Sequence, residues 1–116
     1  LYYEEFKVIA AIGYKVRVDS LLLASSFYNT SSNTKLAVVY SLSGFASDST
    51  EVPAYTFASP NALINETSGT TSAKAFALNG AAGVTVSDGQ KLTFRLYFSC
   101  GSTSAGRYGK LKDVKV

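Results

Sequence analysis

Residues 92–98 read Leu-Thr-Phe-Arg-Leu-Tyr-Phe, apolar at every second position, with Lys91, Thr93, Arg95, Tyr97 and Ser99 in the alternate places. Successive side chains of an extended chain point to opposite faces of a sheet, so a period of two means a strand with one buried and one solvated face. Tyr14, Val16 and Val18 repeat the pattern against Lys15, Arg17 and Asp19. No long window keeps the 3.6 period of an amphipathic helix; the best candidate, residues 61–67, would make about one turn.

Residues 2–9 form a third strand, and residues 10–13 are short enough to join it to the Tyr14 strand as a hairpin. Residues 35–41 alternate less cleanly, because Leu36, Val38 and Tyr40 oppose Ala37 and Val39, which implies cover on both faces. Residues 54–58, 73–78 and 110–116 complete seven candidates, with 21–26 an eighth. Stretches rich in Ser, Thr, Asn and Gly lie between them, at 28–34, 41–50, 59–72, 79–89 and 101–109, and suit turns and loops. Many short strands at near-regular spacing predict an all-β antiparallel β-sandwich, jelly-roll-like, of about seven to nine strands. With 116 residues, the chain forms one module over 1–116 and buries roughly two-thirds of its unfolded surface. It opens in mid-pattern at Leu1-Tyr2-Tyr3 without a start methionine, and so reads as a piece excised from a larger multidomain protein.

The chain has no His, which removes the commonest general base, the commonest neutral metal ligand and any Ser-His-Asp or Cys-His arrangement. Its one cysteine, Cys100, cannot close an internal disulfide and reads as a small buried residue. Glu4 and Glu5 are adjacent, so on a strand they face opposite sides and cannot act as a glycosidase pair. Asp19, Asp48, Glu51, Glu66 and Asp88 fall in or beside turns, where Asp commonly caps its own backbone. Asp113 interrupts an apolar strand and is the one metal candidate, either a structural acid or a calcium ligand. No other cofactor is expected, and the module is expected to be non-catalytic. Residues 101–106 have Gly at both ends but lead into a strand, without the helix N-terminus that a phosphate loop needs. A membrane partner is not expected, because no apolar run approaches ~20 residues. Nor is nucleic acid: the net charge is only +3 and no RNP-like motif occurs.

That charge is unevenly spread, at +1 over residues 1–35, −3 over 36–90 and +5 over 91–116. The outward positions of the strands carry Lys15 and Arg17, then Arg95 and Tyr97, then Lys110 and Lys112, with Arg107 and Tyr108 at a loop edge. If these strands were neighbours in one sheet, the residues would form a cationic strip with an aromatic beside it. Such a strip suits an anionic polysaccharide, cations pairing with carboxylates and Tyr covering sugar C–H faces. The plain alternative is a solvated sheet that happens to carry charge.

Several local patterns together resemble a known group. Residues Tyr3-Glu4-Glu5-Phe6-Lys7-Val8, Gly13-Tyr14-Lys15-Val16, Ser32-Asn33-Thr34 and Tyr40-Ser41-Leu42-Ser43-Gly44-Phe45 look like the β-sandwich accessory and carbohydrate-binding modules of secreted bacterial polysaccharide-degrading enzymes. Leu96-Tyr97, Ser104-Ala105-Gly106 and the closing Lys110-Leu111-Lys112-Asp113-Val114-Lys115-Val116 fit the same pattern. Those modules commonly end in an Arg-Ile-Asp-Asp-Val-like strand; here Lys112 replaces one Asp, and Ser43 stands where Asp often precedes Gly-Phe. The resemblance implies a secreted or cell-surface module linked to a catalytic domain, holding it at a polysaccharide such as pectin. Its alternative is a structural or adhesive sandwich domain with no glycan ligand, whose exposed aromatics (Tyr2, Tyr3 and Tyr28) would face protein and whose cations would be scattered.

Overall fold

A computed structural model describes residues 3–28, 35–52, 61–62, 65–66, 71–99 and 108–116. Its strands are β1 (Tyr3–Ile9), β2 (Val16–Val18), β3 (Ser20–Tyr28), β4 (Lys35–Ser41), β5 (Thr50–Glu51), β6 (Asn61–Ala62), β7 (Asn65–Glu66), β8 (Ser72–Ala77), β9 (Val84–Val86), β10 (Lys91–Ser99) and β11 (Tyr108–Lys115). Three of these eleven are two-residue pairings. A five-stranded sheet runs β1-β10-β4-β5, with β6 also on β4. A four-stranded sheet runs β11-β3-β7, with β8 also on β3, and β2 pairs β9 in a third, two-stranded sheet. The pairings are antiparallel apart from the short β3–β7 contact. The fold is the all-β antiparallel sandwich that the alternation predicts.

The period of two builds the core directly. Phe94 lies between Phe6 and Tyr40, and Leu96 is paired with Val38. Leu36, Val38, Leu92, Phe94 and Leu96 of the five-stranded sheet are fully buried. They share one cluster with Leu21, Leu23 and Phe76 of the four-stranded sheet and with Val18, Val84 and Val86 of the small one. Burying each such side chain contributes about 1.5–3 kcal/mol before chain entropy is counted. On β4 the alternate residues Ala37 and Val39 are half-buried, so the outer face of that strand is partly covered, as its mixed pattern implies.

The expected β1–β2 hairpin does not form. Tyr14 N–H donates to the Ala11 carbonyl at 3.0 Å, closing a turn whose third residue, Gly13, sits at φ +81°, where a Cβ would be strained. The turn instead hands the chain from one sheet to another: β1 pairs β10, while β2 pairs β9. Lys15 consequently precedes its strand. Residues 79–89, expected as loop, contain β9, because Val84 and Val86 alternate about Thr85 and fill the core. Five residues, 79–83, are looped out where Leu78 N–H meets the Asp19 carbonyl at 2.9 Å. The helical turn expected at 61–67 is replaced by β6 and β7. The strand expected at 54–58, Cys100 and the Gly-ended segment 101–106 lie outside the described residues.

β3, an uncertain strand in sequence because of its Leu-Leu-Leu and Ser-Ser runs, is the centre of its sheet. Leu21, Leu23 and Ser25 point into the core, while Ser20, Leu22, Ala24 and Ser26 lie on the outer face. On its neighbour β11, Lys110 pairs with Ser26 and Lys112 with Ala24, but Lys115 pairs with Leu22, a shift of one residue. The extra residue is accommodated as a β-bulge with Asp113 at φ +53°. Asp tolerates that left-handed backbone better than most residues, which gives this acid a conformational reason to interrupt the strand.

Candidate functional site

Arg95 and Tyr97 lie on the outer face of the five-stranded sheet, as their alternation predicts. There the register sets Glu5 opposite Arg95 and Tyr3 opposite Tyr97. Arg95 Nε donates to Glu5 Oε2 at 3.0 Å, and Lys7 Nζ lies 2.8 Å from the other carboxylate oxygen. The Arg95 guanidinium carbon is 4.5 Å from the centre of the Tyr3 ring and 4.1 Å from that of Phe45. Tyr3 and Tyr97 rings meet at 5.4 Å, tilted by 55°. Lys7 and Arg95 hold the Glu5 carboxyl below its ordinary range, and Glu5 in turn raises Arg95 above its own. Arg95 is thus neutralised by Glu5 and stacked on two rings, an arrangement that ties β1, β10 and the loop after β4 together. Its charge is already engaged within the chain.

That loop is held by a second polar cluster. Asp48 accepts from Leu42 N–H and Ser43 N–H, both at 2.9 Å, from Ser41 Oγ at 2.8 Å and from the Ser43 hydroxyl. Ser41 Oγ also accepts from Ser43 N–H at 3.1 Å and Phe45 N–H at 2.7 Å. These donors, the Ser43 hydroxyl foremost, hold the Asp48 carboxyl far below its usual range. Gly44 and Phe45 both adopt positive φ, +68° and +67°. The Phe45 conformation costs on the order of 1 kcal/mol, and it places the ring against Arg95. Asp48 therefore caps its own turn, as its position suggests, and Ser43 is a structural member of the same loop.

The remaining candidates are dispersed. Arg17 pairs with Asp19, Nε to Oδ1 at 2.8 Å, on the two-stranded sheet, and Lys15 is exposed just before it. Lys110 and Lys112 belong to the four-stranded sheet. Tyr108 begins β11, paired in register with Tyr28, and Arg107 lies outside the described residues. The strands that were to be neighbours thus fall in three sheets, and the single strip of Lys15, Arg17, Arg95, Tyr97, Lys110 and Lys112 does not exist. It fails because β2 follows β9 away from the sheet that holds β10. Asp113 is exposed and not a buried structural acid, with its Oδ2 3.9 Å from Lys112 Nζ. Among the described residues no group of three or more Cys, Asp or Glu side chains gathers as a metal site.

Beside β11 the four-stranded sheet carries an open trough of about 370 Å³. Leu22, Ala24, Ala73 and Ala75 line it, with Lys74, Lys115 and Asp113 at its margins. The small side chains of β3 and β8 leave this space. In sequence the same residues read simply as a weak strand pattern, so no feature of the chain marked Leu22 or Lys115 as site residues. Phe45 and Glu5, which engage Arg95, were hidden for a different reason: they meet it only through sheet pairing and a loop. No helix among the described residues is long and apolar enough to cross a membrane. No family model, curated protein or solved structure matches the chain.

Proposed function

We propose that this chain is a non-catalytic carbohydrate-binding module of a secreted bacterial protein, which holds a linked polysaccharide-degrading domain at an acidic polysaccharide such as pectin. The observation that carries this reading is the placement of Lys110 and Lys112 on one face of the four-stranded sheet, beside a trough with an apolar floor. Cations on the strand beside the trough suit carboxylates, and the floor suits the C–H faces of sugar rings. Tethering would raise the local concentration of the linked domain at its substrate. Binding should weaken as salt rises, since exposed charges are screened within about 10 Å at 0.1 M. Affinity electrophoresis through polygalacturonate, neutral xylan and soluble cellulose derivatives tests it: retardation by polygalacturonate that fades with salt is expected, and unretarded migration in all three overturns it.

A structural or adhesive role is favoured by a different observation. Arg17 and Arg95 are satisfied within the chain, the basic residues are spread over three sheets, and the turn after β1 exposes apolar side chains. Ile9, Ile12 and Tyr14 are 58%, 89% and 68% exposed. On this reading the turn packs against a neighbouring domain and none of the three glycans retards the protein.

A further inference from the structure

The bulge at Asp113 has an effect on facing that the sequence alternation conceals. In an unbroken β11, Lys115 would fall opposite Leu21 and point into the core. With the one-residue shift it falls opposite Leu22, whose side is the outer face. Lys110, Lys112 and Lys115 are therefore brought to the same side of one strand, at three successive outward positions. Outward positions on an antiparallel strand are about 6.8 Å apart, so the row of Cα atoms spans roughly 14 Å.

We propose that this row and the trough beside it form one binding site for a linear uronate polysaccharide, with Lys112 and Lys115 as its principal cations and Leu22, Ala24, Ala73 and Ala75 as its floor. This rests on the polysaccharide-binding reading above and assigns that reading a place. The choice of occupant follows from the chemistry of this face. Lys115 lies at the trough's margin and Lys112 next to it on the same side of β11, while the floor is apolar, which matches a chain bearing acid groups along one edge and C–H faces on another. Asp113, at the same margin with its Oδ2 3.9 Å from Lys112 Nζ, accepts hydrogen bonds from sugar hydroxyls, which a bare polyanion such as polyphosphate lacks. Leu22, 44% exposed, is the largest apolar side chain on the floor. It is the residue against which a sugar ring would lie.

The test uses the full chain and sodium polygalacturonate, with retardation measured for the wild type, the double variant Lys112→Gln/Lys115→Gln, Leu22→Ser, and a control, Lys15→Gln/Arg17→Gln. All the substitutions are at exposed positions, and circular dichroism checks that each variant is folded. The expected result is a loss of about tenfold in affinity for the Lys112/Lys115 variant, a weakening for Leu22→Ser, and no change for the control. If the wild type binds but the Lys112/Lys115 variant binds equally well, the site lies elsewhere and this inference fails while the broader reading stands. If Leu22→Ser alone is unchanged, the apolar floor is not part of the site and the inference fails in that part. If the wild type does not bind polygalacturonate, both fail. Retention of polyphosphate as strong as that of polygalacturonate also overturns it, because the site would then read charge alone.

Discussion

Two serines with no exposed surface make opposite demands on the fold. Ser25 sits on the core side of β3 beside Leu23, and its hydroxyl has no hydrogen-bond partner. Ser41, at the end of β4, donates to Asp48 and accepts from two backbone N–H groups. Replacing each with alanine removes the same atom. A buried hydroxyl without a partner costs about 1–3 kcal/mol in proteins. Its deletion leaves only a small void and a few lost dispersion contacts. Ser25→Ala should therefore stabilise the domain by about 1 kcal/mol. Ser41→Ala instead loses one hydrogen bond to a charged group and strands the Phe45 N–H, while Ser43 N–H keeps its bond to Asp48, a loss of about 2–3 kcal/mol. The pair should differ by roughly 3–4 kcal/mol, with midpoints shifted in opposite directions, about 4 °C upward for Ser25→Ala and 8 °C or more downward for Ser41→Ala. Urea denaturation followed by far-ultraviolet dichroism and fitted with a common slope measures the free-energy differences, and thermal melts measure the midpoints. If Ser25→Ala destabilises the protein as Ser41→Ala does, the reasoning from hydrogen-bond satisfaction is wrong.

Two further outcomes follow from neighbouring features. The Asp48 carboxyl is held below its ordinary range by Ser43, Leu42 and Ser41, so its stabilising contribution is complete above the unfolded value near 3.8 and is lost as pH falls toward the lowered folded value; Glu5 acts in the same direction. Urea melts between pH 6 and about pH 2 should show a steep acid loss that Asp48→Asn flattens, and an unchanged slope in that variant would refute the assignment. At Gly109 an added Cβ would lie 2.7 Å and 2.8 Å from two ring atoms of Phe98, where β11 approaches β10. Gly109→Ala should cost about 1–2 kcal/mol by overpacking, net of the entropy that alanine saves, and Phe98→Leu should recover part of it in a double-mutant cycle.

Alternation made β10 and β4 legible to within a residue, because a strand with one buried face writes its period into the chain. It also placed Arg95 and Tyr97 on an outer face. Pairing was not legible. Nothing in residues 2–18 distinguishes a hairpin from a turn that changes sheets, since Gly13 serves either, and the partners that decide between them, β10 and β9, lie roughly seventy to ninety residues away. The same gap extends to the site, because a strip across strands depends on which strands adjoin. The β-bulge was hidden for a related reason. Lys-Asp-Val-Lys can be threaded with either facing for Lys115, and only the register against β3 selects one. In the sequence Asp113 stands out in an apolar strand for its chemistry; its left-handed backbone conformation explains its place.

The edge position of β11 gives its bulge a second consequence. Among the described residues it pairs with β3 alone, at the edge of its sheet, and edge strands are where a second extended chain can add itself. A regular, apolar edge would invite a second molecule to add a strand and begin an aggregate. Here the kink at Asp113 breaks the hydrogen-bonding repeat, and like charges at Lys110, Lys112 and Lys115 would face each other if two copies met edge to edge. The one-residue irregularity thereby helps keep a Ser- and Thr-rich, strand-forming chain dispersed.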